Sequence, residues 1–224
     1  MKYQWILFDA DETLFHFDAF RGLQLMFSRH NIVFSNSDFE QYEAINKPLW
    51  VDYQNGIISA TELQNIRFET WAAALSLSTE QLNTAFLKAM ADICTPLAGA
   101  KSMLEALSQH AKLGIITNGF TALQEIRLER TGFADFFDVL IISEQVGVAK
   151  PDVKIYDYAC QQMNITQRQQ VLMVGDNPHS DILGGINAGM DTCWLNSDQK
   201  PLPKGITPTY TIASLAELQT ILLT

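Results

Sequence analysis

The stretch Trp5–Phe15, WILFDADETLF, carries four apolar residues straight into Asp9, Asp11 and Glu12. Asp9 and Asp11 stand two apart, so at the end of a β-strand their side chains can point to one side. Two carboxylates about 4 Å apart repel by roughly 4 kcal/mol in a medium of intermediate dielectric. A shared proton relieves that repulsion, and so does a cation. Taken alone, the string also describes a pair of exposed turn acids.

Three later stretches add groups of the same kind. LGIITNG ends in Thr117, Asn118 and Gly119. A hydroxyl, an amide and a flexible backbone N–H at a strand-to-helix turn suit phosphate oxygens, although the same triplet by itself is an ordinary turn. GVAKPD sets Lys150 directly before Pro151, which reads as the first residue of a helix. A cation there opposes the helix dipole, so Lys150 is either a solvated surface residue or has work elsewhere. VLMVGDNPHSDI places Gly175 and Asp176 at a strand end, with Asp181 following. Asp176 fits a turn acid, and Ser180 or Asp181 a helix cap.

The elements that must position these groups are readable as short apolar runs, each ending in a polar or glycine-containing turn. They lie at Gln4–Phe8, Lys112–Ile116, Val139–Ile142, Val171–Val174 and Asp191–Leu195. Such runs read as fully buried parallel strands. Amphipathic stretches of helical length separate the later ones, at Ala98–Gln109, Ala122–Thr131 and Pro151–Met163. The class is therefore α/β, with a Rossmann-like parallel sheet.

The first and second strands lie far further apart in sequence than a crossover needs. The extra stretch is rich in helix formers and aromatics. It predicts helices at Ala19–His30, Ser37–Ala44, Thr61–Leu75 and Thr79–Ala91, with Ser37 and Ser78–Thr79 as N-caps. It reads as an α-helical insertion, residues 15–92, above the carboxyl ends of the strands of a core made by 1–14 and 93–224. Ligands of open α/β sheets bind at those ends, and an insertion there is placed to act as a lid.

All four polar clusters thus fall on one edge of the sheet. Asp9, Asp11 and Asp176 make the hard-oxygen environment that Mg²⁺ prefers. Thr117 and Lys150 add the means to hold a phosphoryl group. Asp9, Asp11, Asp176 and Asp181 less Lys150 leave three negative charges, which would repel a phosphate dianion unless a metal enters.

Composition narrows the partners. The 224 residues are 47% hydrophobic, enough for a sizeable core, and the formal net charge is −10. So acidic a chain argues against nucleic-acid polymers and anionic membranes as partners. Cys94, Cys160 and Cys193 are scattered, with no CxxC and no disulfide framework, and read as reduced buried thiols. The short N-terminal apolar run is ended by acids, unlike a signal peptide, and no apolar run approaches a membrane span. The expectation is a soluble cytoplasmic protein.

With these residues assembled, the sequence resembles the haloacid dehalogenase-like hydrolase superfamily. Its four motifs occur in order: Asp9-Ala-Asp11-Glu-Thr13, Thr117-Asn118-Gly119, Lys150-Pro151, and Gly175-Asp176 with Asp181. The insertion is similar to the subclass I cap. NKPLWVDYQNG in the insertion and SDILGGINAGM after the fourth motif resemble the bacterial pyrimidine 5′-nucleotidases, which act on nucleoside monophosphates.

The resemblance implies a phosphatase that works through an aspartyl-phosphate. Asp9 would be the nucleophile and Asp11 the acid, then the base. Mg²⁺ would be held by the Asp9 carboxylate, the Asp11 backbone carbonyl and the Asp176 carboxylate, with Mn²⁺ or Co²⁺ as possible substitutes. Asp181 would orient metal-bound waters. Thr117, the amides of Asn118 and Gly119, and Lys150 would bind phosphate. Related dehalogenases lack the second acid. Related phosphonatases carry Ala there and use a cap lysine. Asp11 therefore assigns Lys47 and Lys88 to solvated or structural places.

Substrate choice is expected in the insertion, where Phe15, Phe17, Trp50 and Tyr53 could stack a base and Asn46 could read its edge, against the alternative that they fill the insertion's own core. The expected substrate is a nucleoside 5′-monophosphate, pyrimidine and deoxy forms preferred, and the expected assembly a monomer or homodimer. The alternatives are a phosphatase for a sugar phosphate or phosphoglycolate, and a non-catalytic protein that senses a phosphometabolite.

Overall fold

The computed structural model describes all 224 residues. Six parallel strands form one sheet: β1 (Trp5–Phe8), β2 (Lys112–Thr117), β3 (Val139–Ile142), β4 (Val171–Gly175), β5 (Asp191–Leu195) and β6 (Tyr210–Ile212). Their order is β3-β2-β1-β4-β5-β6. The chain moves outward from β1 to β3, then returns to the other side of β1 for β4. That reversal opens a crevice at the carboxyl end of β1, between β2 and β4, the place where such sheets bind ligands.

All four residues of β1 are buried, as the unbroken apolar run requires of a central parallel strand. Their side chains alternate between faces. Ile6 and Phe8 pack with Met103, Leu104 and Leu107 of α6 (Ala100–Leu107) and with Leu215 and Leu218 of the last helix, Leu215–Leu223. Trp5 and Leu7 pack on the other face with Ile155, Tyr156 and Ala159 of the helix Val153–Gln162.

Between β1 and β2 run five helices: α1 (Ala19–Ser28), α2 (Asn36–Gln54), α3 (Ala60–Ile66), α4 (Glu69–Leu75) and α5 (Thr79–Ile93). They have their own core, in which Leu23, Phe27, Tyr42, Phe68, Leu82 and Phe86 are buried together. Capping boxes begin three of them, with Ser35, Ser59 and Ser78 accepting from the backbone three residues on.

Three expectations about the inserted helices change, and a sixth strand joins the five expected. The N-cap of α2 is Ser35 rather than Ser37. That helix does not stop at Ala44 but continues through Pro48 to Gln54. Pro48 is exposed, so the carbonyl it leaves without a donor lies toward water. Trp50 and Tyr53 beyond it pack into the helical core and hold the extra turns in place. The expected helix over Thr61–Leu75 is two helices, broken at Arg67 and Phe68, where both side chains turn inward. Finally, β6 has no apolar run to announce it. It is a short edge strand with Ile212 as its one buried residue. No helix is long and apolar enough to cross a membrane.

Candidate active site

The carboxyl ends of β1, β2 and β4 and the segment that follows β3 bring the four sequence clusters together around one cavity of about 260 Å³, lined by Asp9, Asp11, Thr117, Asn118, Gly119, Lys150 and Asp176 among others. At its floor, carboxylate oxygens of Asp9, Asp176 and Asp181 lie within 4.8 Å of one another. Lys150 is the counter-charge. Its Nζ donates to Asp9 Oδ1 and to Asp181 Oδ1, each at 2.7 Å, and its side chain is 2% exposed. The solvated lysine that its sequence context allowed is therefore not what the fold makes of it.

One cation among three carboxylates leaves the cluster electrostatically unbalanced. Burial pushes the Asp9 carboxyl up to about 7, against the pull of Lys150 and with the repulsion of Asp181 and Asp11 added. Burial and then the charges of Asp181 and Asp9 push Asp176 up to about 8. Burial alone would lower the Lys150 ammonium, but Asp181 and Asp9 outweigh it and hold it above its ordinary value. Acids raised in this way favour either protons or a further cation. A hard divalent ion with oxygen ligands fits the donor set.

Each member is fixed by the backbone around it. Asp181 is fully buried. Its carboxylate accepts from Lys150, from the Ser180 hydroxyl at 3.2 Å and from the Asn177 amide at 3.0 Å. Gly175 makes room for it: a Cβ there would meet the Asp181 carboxylate at 2.3 Å. Asp176 is held at both ends of its peptide. Its N–H donates to Thr13 Oγ1 at 3.0 Å, and its C=O accepts from Trp194 Nε1 at 2.8 Å. Asn118 grips the backbone of Lys150, accepting from its N–H at 2.8 Å and donating to its C=O at 2.9 Å. The third cluster is thereby tied to the second.

Asp11 is set apart from the three-carboxylate group. Its Oδ1 accepts from Arg127 Nη1 at 2.5 Å. Arg127 sits on α7 (Thr121–Thr131), the helix that follows the Thr117–Gly119 turn. It was invisible in sequence, because a lone arginine in a polar helical stretch reads as surface, yet its side chain is 1% exposed. Thr13 closes the first motif but carries no role in the sequence reading, and Trp194 reads as one more apolar residue of β5; only their long-range contacts to Asp176 give them a place.

The remaining expected residues divide. Thr117 is buried at the cavity wall, and its Oγ1 accepts from the Gly119 N–H at 3.0 Å. The Gly119 amide, expected to face phosphate, is therefore engaged by its own turn. Asn46 and Trp50 line the cavity from the inserted helices. Phe15 and Tyr53 do not. Phe15 is fully buried in the core of the sheet, its ring centroid 5.7 Å from that of Phe133. Tyr53 is buried, and its hydroxyl donates to Ser143 Oγ at 2.7 Å. Both are corrected from substrate contacts to packing residues, because their neighbours across the fold enclose them. Phe17 lines the cavity instead. Glu12, left without a role, adopts a left-handed φ of 55° and accepts from the Phe17 amide at 2.5 Å, shaping the link from β1 into the helices. Lys47 is exposed and pairs with Glu43 at 2.5 Å; Lys88, His16 and His179 are exposed.

The upper wall contains a group with no sequence signature. Arg67 is 3% exposed and lines the same cavity as the acids. Its guanidinium carbon lies 5.1–5.2 Å from the ring centroids of Phe68, Phe86 and Phe120, and it donates to Asn83 Oδ1. It makes no ion pair, and its Nε has no partner; Asn46 Oδ1, on the same cavity, is buried without one too. Burial pulls this guanidinium below its ordinary value.

A family profile described as haloacid dehalogenase-like hydrolase matches residues 3–189. Over 222 residues the chain is 60% identical to the pyrimidine 5′-nucleotidase YjjG of Escherichia coli (strain K12), with 99% of each chain covered. It is 33% identical to the pyrimidine 5′-nucleotidase PynA of Streptococcus pneumoniae, over 97% of this chain and 94% of that one. Among solved structures, the HAD-hydrolase YfnB of Bacillus subtilis bound to magnesium matches with a TM-score of 0.84 at 32% identity, with 99% of both chains covered.

Proposed function

The chain belongs to the haloacid dehalogenase-like hydrolases, and on that premise we propose that it is a magnesium-dependent phosphatase of nucleoside 5′-monophosphates, pyrimidine and deoxy forms preferred. The observation that carries the reading is a single cavity with two unlike ends. Its floor holds the carboxylates and Lys150. Its upper wall holds Arg67, Asn46, Trp50 and Phe86. A nucleotide has the same polarity: a dianion at one end, and at the other a flat ring edged with hydrogen-bond acceptors and donors. A small sugar phosphate would leave the upper wall unused.

Residues 15–92 act as the cap in this reading, over a core of 1–14 and 93–224. Asp9 attacks phosphorus in line, and an aspartyl-phosphate forms as the ester P–O bond breaks. Asp11 gives its proton to the departing 5′ oxygen. It then takes one from the water that attacks the aspartyl-phosphate. Lys150, Thr117 and the Asn118 backbone amide hold the phosphoryl oxygens and stabilise their charge. The carboxylates of Asp9 and Asp176 and the Asp11 backbone carbonyl would hold Mg²⁺, which supplies positive charge against phosphate and carboxylates alike. Asp181 stays pinned by Lys150, Ser180 and the Asn177 amide, and orients what lies above it.

Phosphate release from a panel of 5′-monophosphates, sugar phosphates and phosphoglycolate tests this. Release from pyrimidine nucleotides that EDTA abolishes is the expected result. Release from sugar phosphates or phosphoglycolate alone would sink the nucleotide assignment. No release from any ester by the folded, Mg²⁺-loaded protein would favour the phosphometabolite sensor.

Arg67→Met isolates the upper wall. The substitution leaves buried Asn83 Oδ1 without its donor, at about 1–3 kcal/mol, so a melting curve accompanies the kinetics to show that the variant is folded. A hydrogen bond to a charged donor contributes about 1.5–3 kcal/mol, so kcat/KM for the preferred nucleotide falls roughly 10–100-fold. p-Nitrophenyl phosphate, which has no nucleobase, loses much less. Equal losses on both esters would remove Arg67 from substrate recognition.

A further inference from the structure

We propose that Arg127, braced by Gln124, is the positioning residue for Asp11: it pins one carboxylate oxygen and leaves the other as the atom that moves the proton. The inference rests on the role of Asp11 in the phosphatase reading and adds residues that none of the four motifs contains.

The geometry is over-determined on the arginine side. Gln124 and Arg127 lie one turn apart on the buried face of α7. Arg127 Nε and Nη2 both donate to Gln124 Oε1, at 2.9 Å and 2.5 Å. The guanidinium face lies over the Phe15 ring, 4.6 Å from its centroid. Phe15 is fully buried and rests on Phe133, so this support cannot swing away. The guanidinium is thus held by an amide on one edge and a ring on one face. Its remaining Nη1 points at Asp11 Oδ1.

Asp11 is the looser partner, with its side chain 28% exposed against 1% for Arg127. The anchored guanidinium therefore dictates where the carboxylate sits, and not the reverse. Oδ1 is spoken for by a donor that cannot accept a proton from it. Oδ2 is on the side of the phosphate turn: a Cβ built on Gly119 would lie 3.5 Å from it. The proton exchanged with the substrate consequently resides on Oδ2, facing the cavity that Asp11 and Gly119 both line.

Gln124 has a second consequence. Guanidinium N–H groups can only donate, so the Gln124 oxygen must face Arg127 and its Nε2 must face away. That nitrogen is buried without a partner, close against Gly119. The bracket that positions Asp11 is built directly behind the phosphate turn, so both are referenced to the start of one helix.

In the first step the proton on Asp11 Oδ2 passes to the departing ester oxygen while the Asp9–phosphorus bond forms. In the second, the same oxygen takes a proton from water as that bond is cleaved, returning both acids to their starting states. A mispositioned Asp11 harms the first step only when the leaving group needs the proton. The test uses this dependence. For each variant, kcat/KM is measured for the alkyl phosphate that the wild-type enzyme cleaves best and for p-nitrophenyl phosphate, whose leaving group departs without protonation. Because kcat/KM reports steps only as far as leaving-group departure, slow hydrolysis of the aspartyl-phosphate does not enter.

For Arg127→Met, the alkyl ester is expected to lose about 10–100-fold, less than the roughly 10²–10⁴-fold that removal of a general acid costs because Asp11 is displaced and not removed, and the aryl ester no more than about threefold. Arg127→Lys and Gln124→Leu, which loosen the bracket while keeping a cation, give the same pattern with smaller amplitude; they carry the test should the first variant fail to fold by circular dichroism. The double variant with Asp11→Asn is expected to be no slower than Asp11→Asn alone. Equal losses on both esters, no loss on either, or multiplied losses in the double variant would overturn the proposal. If the wild-type enzyme cleaves no nucleotide but does cleave a sugar phosphate, the nucleotide reading fails, and the Arg127 comparison still runs on that ester.

Discussion

Asp9→Asn is expected to leave a folded protein that releases no measurable phosphate from any ester. An amide has neither the charge nor the nucleophilicity to open a P–O bond, and no other carboxylate on the cavity can replace it. Asp11 is tied to Arg127, Glu12 is engaged by the Phe17 amide, Asp181 is fully buried under Lys150, and Asp176 is fixed at both ends of its peptide. Loss of a nucleophile that acts as part of a unit costs at least about 10⁴-fold. The fold should tolerate the change. Asparagine has the same shape, Lys150 keeps Asp181 as a partner, and a member of a crowded acidic cluster loses its charge. Steady-state assays on the nucleotide and on p-nitrophenyl phosphate, with a melting curve, check both halves. Residual turnover within tenfold of wild type on either ester would mean that another group attacks phosphorus, and the aspartyl-phosphate mechanism would fall.

Lys150→Met is expected to cost both stability and activity, which separates it from Asp9→Asn. Lys150 is the only cation bonded to Asp9 and Asp181, and it is buried with Asp181 beneath the partly exposed Asp9. Removing one partner of a buried ionic group leaves the other charges uncompensated, at about 3–5 kcal/mol. For a chain of this size that is a fall in Tm of roughly 6–20 °C. Added Mg²⁺ should recover part of it, because a divalent ion neutralises the same carboxylates. Activity should not follow, since a donor aimed at the phosphoryl charge is gone; removing one such donor costs roughly 10²–10³-fold in kcat. Differential scanning fluorimetry with and without Mg²⁺, beside kinetics at saturating Mg²⁺, distinguishes the two effects. Unchanged Tm with kcat/KM within threefold of wild type would make Lys150 a bystander.

These two residues also show unequal legibility. Asp9 was readable because a continuous apolar run that stops at spaced acids matches the end of a buried strand. β1 is buried on both faces, so its residues must be apolar without alternation, and the first polar residue marks its end. The same physics located β2, β3, β4 and β5 and placed their trailing residues on one edge. Lys150 was ambiguous: its neighbours describe a turn and a helix start, and nothing local says that two acids lie 2.7 Å from its ammonium. Only agreement among four motifs raised it above a surface lysine.

Residues outside the motifs were harder. Phe15 and Phe17 are two apart and both aromatic, yet Phe15 closes the core of the sheet while Phe17 faces the cavity. Periodicity cannot tell which wall a side chain meets in a loop that leaves a strand for a helical block. The course of α2 through Pro48 was decided in the same way, by Trp50 and Tyr53 gaining a core to pack into. Propensity described the isolated segment and packing settled the outcome.

From the sequence alone came the parallel α/β sheet, the helical insertion after β1, and the gathering of Asp9, Asp11, Thr117, Lys150 and Asp176 at one edge. Each of these follows from a local rule about buried strands or turns, repeated in order along the chain. Only the tertiary structure decided that Arg127 reaches Asp11 from far along the chain, and that Arg67 faces the cavity between three rings with no acid beside it. An arginine carries the same local signature whether it points to water or into a core. Its meaning comes from desolvation and from its partners, and those exist only once distant segments have packed.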